Sequence, residues 1–77
     1  MTKERTKQLS NLAVELLSYT SYLREITVWE ISDHKTLPDN LRNSPGADDM
    51  QHTIDDLVDV CKCLDDAHKL ILKILER

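Results

Sequence analysis

Residues 53–70, TIDDLVDVCKCLDDAHKL, hold most of the side chains in this chain that can do chemistry. They contain a DDxxD pattern (Asp55, Asp56, Asp59), two cysteines (Cys61, Cys63) and an Asp-x-x-His (Asp65, His68). Each type can ligate a metal. A DDxxD segment holds magnesium and a diphosphate in isoprenoid synthases, but that chemistry needs a large helical cavity and a second acidic motif. A chain of 77 residues cannot build such a cavity alone. The three aspartates alternate with Ile54, Leu57 and Cys61, which is the pattern of a wet helix face beside an apolar one.

Cys61 and Cys63 stand two residues apart. On a helix that spacing turns the sulfurs about 200° away from each other. They can then neither close a disulfide nor share a zinc ion, and no second cysteine pair exists. Asp65 and His68 form the most interesting pair. An acidic residue three before a histidine builds di-metal sites in four-helix bundles, with further carboxylates from other helices. If residues near Leu16 lie opposite Leu64, Glu15 comes across from Asp65. A two-fold dimer would then offer six ligands from Glu15, Asp65 and His68. Aspartate is shorter than glutamate, however, and neither Glu15 nor Asp65 sits on the centre of its apolar stripe. The expectation is therefore no cofactor and no catalytic residue. His68 reads as a seam histidine satisfied by a local carboxylate or carbonyl.

The elements that must position these groups are two long helices. Leu9, Leu12, Leu16, Tyr19, Leu23 and Ile26 alternate spacings of three and four, which makes a heptad seam in a first helix over about residues 2–33. Met50, Ile54, Leu57, Cys61, Leu64, His68, Ile71 and Leu75 keep the same rhythm in a second helix over about residues 45–76. The intervening loop, about residues 34–44, contains Pro38 and ends at Pro45-Gly46. Ser44 reads as an N-cap with proline in the first helical position. Thr36 reads as the cap of a short turn over TLPDNLR. A connection of this length folds two rods of about 45 Å back on each other. The fold class is thus all-α: an antiparallel helical hairpin, in one domain over residues 1–77, that dimerises into a four-helix bundle.

Dimerisation follows from surplus apolar surface. The first helix carries Val14, Leu17, Val28 and Ile31 outside its seam, with Tyr22 and Trp29 on its flank. The second adds Val58, Val60, Leu72 and Ile74. One partner helix cannot cover all of this. A monomer this small buries only about 60% of its unfolded surface and commonly needs a partner or a staple. The expected interface therefore draws on Leu9, Leu12, Leu16, Tyr19, Tyr22, Leu23, Ile26 and Trp29, and on Ile54, Leu57, Cys61, Leu64, His68, Ile71 and Leu75. The three aromatic residues are its anchors. A further, unidentified protein partner fits the same surface.

Charge is uneven along the hairpin. The open end, residues 1–14 with 67–77, has six basic residues (Lys3, Arg5, Lys7, Lys69, Lys73, Arg77) against Glu4 and Glu76. The loop end, residues 24–59, has three basic residues (Arg24, Lys35, Arg42) against nine acidic ones. Two such rods prefer to lie antiparallel, acidic end beside basic end. Acid at the start of the second helix and base at its end also suit that helix's dipole. The six basic residues are the candidate patch for RNA or DNA, although a net charge of −4 disfavours nucleic acid.

Two unpaired cysteines fit a reducing, cytoplasmic setting. No secretory leader pattern and no apolar run of about 20 residues is present. No phosphate-binding glycine loop occurs either. The reading that results is a small non-enzymatic interaction or regulatory protein that self-associates through long amphipathic helices. The alternatives are a nucleic-acid-binding bundle using the basic ends and a carboxylate–histidine metal bundle.

Overall fold

A computed structural model describes residues 1–77. Helix α1 runs Lys3–Lys35, a single 3-10 turn spans Asp39–Leu41, and helix α2 runs Pro45–Leu75. The two helices pack against each other as a rod measuring 59 × 14 × 13 Å, and no strand is present.

Local chemistry sets each boundary. The Thr2 hydroxyl accepts the Arg5 N–H at 3.1 Å and starts α1. Ser44 does the same for α2, accepting the Ala47 N–H at 3.2 Å, with Pro45 in the first turn where no N–H is needed. Thr36 has a different role from the one its sequence suggests. It ends α1, its N–H donating to the Ser32 carbonyl at 3.1 Å and its hydroxyl to the Asp33 carbonyl at 3.0 Å, while the Leu37 N–H donates to the His34 carbonyl. Pro38 precedes the short turn instead. Proline disfavours helical backbone in the residue before it, so α1 stops short of Leu37.

In α2 the burial follows the expected stripe. Ile54 and Cys61 are buried, and Met50, Leu57, Leu64, His68, Ile71 and Leu75 are half-buried. Ala47 extends the stripe one turn toward the loop. In α1 the stripe is only half the expected one. Leu9, Leu16 and Leu23 do face α2, but the fully buried positions are Ala13, Thr20 and Thr27. Leu12, Tyr19 and Ile26 are exposed. The helix is thus turned by about 50° from the seam its large residues suggest, half of one residue's rotation.

The threonines explain the rotation. Thr20 Oγ1 donates to the Leu16 carbonyl at 2.7 Å, and Thr27 Oγ1 donates to the Leu23 carbonyl at 2.8 Å. Each hydroxyl is satisfied within its own helix, so the face turned to α2 is small and apolar. Burying Tyr19 in the same place would require a partner for its phenol. The small residues also let the larger Ile54, Leu57 and Leu64 side chains interdigitate, large against small. Thr27 Oγ1 lies 3.9 Å from Cys61 Sγ. Its proton is committed to Leu23, so the thiol is the donor in that weak contact.

The register also differs from a hairpin symmetric about its loop. Symmetry would set Leu16 level with Leu64, Leu9 with Leu72 and Ile31 with Met50, and so Thr27 level with residue 53 or 54. Instead Thr27 touches Cys61, and Arg24 Nη2 reaches Asp65 Oδ2 at 2.6 Å. Two short side chains can meet only if α2 is displaced by a helical turn or more. The connection, with its own 3-10 turn, accommodates this stagger.

Thr20 is 2% exposed, so Thr20→Leu is expected to overpack the closest approach and cost about 1–3 kcal/mol in chemical denaturation. An unchanged midpoint would place Thr20 outside the seam. Ser44→Ala, which removes the α2 cap, is expected to lower stability by about 1 kcal/mol in the same assay.

Candidate interaction surface

The groups that looked chemically active are dispersed. Asp55, Asp56 and Asp59 are all exposed, and Asp55 accepts a hydrogen bond from the Gln51 amide at 3.0 Å. Cys61 is buried against Thr27, whereas Cys63 is exposed. Asp65 gives its carboxylate to Arg24, a partly exposed pair worth at most about 1 kcal/mol. Glu15 lies on the stripe of α1 that also holds Tyr22 and Trp29, on the other side of the seam from Arg24. The shifted register and this rotation together separate Glu15 from Asp65. His68 stays half-buried in the α2 seam. The chain itself gathers no group of three or more His, Cys, Asp or Glu side chains able to hold a metal ion.

Lys3, Arg5, Lys7, Lys69, Lys73 and Arg77 are all exposed at the open end. They point from several different stripes of the two helices. Lys69 and Lys73 border one shallow depression together with Asp66 and Leu70. No helix is long and apolar enough to cross a membrane.

The most distinctive surface lies on α1. Leu12, Glu15, Tyr19, Tyr22, Ile26 and Trp29 are spaced by three, four, three, four and three. This is a second heptad seam beside the one α2 covers, and only Glu15 in it is polar. Tyr19 is 62% exposed, Tyr22 66% and Trp29 70%. The Arg24–Asp65 pair marks the opposite side of the hairpin. In an antiparallel pair, Val60, Ala67 and Ile74 of α2 therefore border the same side as the aromatic stripe, and Val60 and Ile74 are exposed too. Across the seam, Val14, Leu17, Val28 and Ile31 make another apolar stretch, but Ser21 and Arg24 interrupt it at the centre. A polar strip, Glu4, Asn11, Ser18, Glu25 and Ser32, runs along the back of α1, with Ser10, Ser21 and Arg24 beside it and charged residues at both helix ends. Apolar residues on both flanks of the covered seam are more than one neighbouring helix covers. By contrast α2 has a broad wet back of aspartates and lysines.

The total surface agrees. A compact chain of 8.9 kDa exposes about 4,800 Å² by the area–mass relation, and this one exposes 6186 Å². The excess of roughly 1,400 Å² is more than the ~800 Å² per partner that a standard interface covers.

Among the interface candidates, Leu9, Leu16, Leu23, Ile54, Leu57, Cys61, Leu64, His68, Ile71 and Leu75 join the two helices of one chain. Leu12, Tyr19, Tyr22, Ile26 and Trp29 form the free seam. Ala13, Thr20 and Thr27 escaped the sequence reading, although their seven-residue repeat was there to find. No protein-family model, curated protein or solved structure matches this chain.

Proposed function

We propose that this protein is a non-enzymatic interaction module that works as a self-associated pair of hairpins, with the second seam of α1 as its docking face. The observation that carries this reading is the heptad spacing of Leu12, Tyr19, Tyr22, Ile26 and Trp29 at positions that α2 leaves open. A coiled-coil seam is complementary to another helix, and large aromatic residues are the usual anchors of such contacts. The apolar surplus also exceeds what a rod with only six buried residues holds together comfortably.

In sedimentation equilibrium with a chelator present, the expected species is a dimer stable over a wide range of concentration. Tyr22→Glu and Trp29→Glu are expected to weaken self-association by about 30-fold or more while leaving the chain helical, because both side chains are exposed within one hairpin. A wild-type chain that sediments as a monomer at high micromolar concentration would contradict the proposal.

A further inference from the structure

Resting on that reading, we infer that the occupant of the free seam is the same seam of a second copy, and that the two α1 helices cross it antiparallel. The seam from Leu12 to Trp29 has its midpoint between Tyr19 and Tyr22. A two-fold axis there sets Leu12 against the partner's Trp29, Tyr19 against the partner's Tyr22, and Glu15, at the seam's edge, against the partner's Ile26. The seam is therefore self-complementary in the way a two-fold interface requires. The same placement brings Arg5, on the seam's stripe beyond Leu12, within a turn of the partner's Asp33, on the stripe beyond Trp29.

Charge decides the direction. An antiparallel pair puts the open end, with six basic and two acidic residues, beside the loop end, with three basic and nine acidic residues. A parallel pair would stack Glu15 on Glu15, Asp33 on Asp33 and the two acidic loop ends on each other. Like charges so placed are repulsive, and opposite ones attract. The surplus surface of the single hairpin is large enough for a contact of standard size. The other apolar side of α1 is a poorer candidate, since the Arg24–Asp65 pair crosses its centre.

Spin-label distances test this. Single labels go on the polar strip, through Asn11→Cys, Ser18→Cys and Ser32→Cys, in the full chain carrying Cys61→Ala and Cys63→Ser. The antiparallel seam predicts a short distance at position 18, about 20 Å or less, with axial separations of about 29 Å at position 11 and about 35 Å at position 32. A parallel seam predicts three short, similar distances. That result would overturn the orientation while leaving self-association intact. A dimer with a long distance at position 18 would overturn the α1–α1 contact. A monomer would overturn the functional reading as well. Charge reversal supplies a second test in the native-cysteine chain. Arg5→Glu should raise the dimer dissociation constant about tenfold, and adding Asp33→Arg should restore it. Failure of that rescue would count against the antiparallel pairing.

Discussion

The structure depends on how closely two helix backbones approach at Ala13, Thr20 and Thr27. A threonine in a helix can place its hydroxyl on the carbonyl one turn back, and both buried threonines do so. Once that bond is made, the residue packs as a short branched hydrocarbon. The price is a thin core, since only Ala13, Ala47, Ile54 and Cys61 are buried apolar residues. Each further feature of the rod follows from that choice of seam.

Turning α1 to present its small residues inward turns its large ones outward. Leu12, Tyr19 and Ile26 leave the hairpin contact and line up with Tyr22 and Trp29 on a second seam. The two helices consequently differ in kind. In α2 the main apolar stripe meets α1 and is backed by charge, although Val58, Val60, Leu70, Leu72 and Ile74 stay exposed. In α1 apolar residues flank the covered seam on both sides, and one neighbour leaves Tyr19, Tyr22 and Trp29 exposed. A hairpin that leaves the aromatic seam of α1 and the flanks of α2 open fits a half-assembly, in which α1 occupies the middle of a larger bundle. The uneven charge along the rod then acts on direction more than on strength, since exposed charges at these separations are screened within about 10 Å at moderate salt.

Much of this was legible in the amino-acid order. The two helices, the Ser44–Pro45 start of α2 and the complete α2 stripe are readable because hydrophobic periodicity and capping chemistry act locally. The α1 seam was legible only in part. Counting large apolar residues favours Leu12, Tyr19 and Ile26, and a threonine with a free hydroxyl counts as polar. The decision between two overlapping heptads lies in the helix pair, where volume must match Ile54, Leu57 and Leu64. The same holds for the stagger, which placed Asp65 beside Arg24 and away from Glu15. Loop symmetry alone would have set Glu15 across from Asp65, and the shift moves them apart within one chain. Thr36 went astray for a local reason, since a threonine before Leu-Pro suits the end of one helix as well as the start of another.

The central claim is that the aromatic seam of α1 is a covered surface in the working protein. Trp29 is the only tryptophan in the chain and is 70% exposed in the single hairpin. Its fluorescence therefore reports on the seam without any substitution. The measurement is Trp29 emission and acrylamide quenching across a dilution series, with mass followed in parallel. A covered seam predicts blue-shifted, shielded emission at high concentration that moves to water-like emission as the mass falls to that of one chain. Water-like, freely quenched emission from a chain that remains dimeric would place the contact elsewhere and contradict the account.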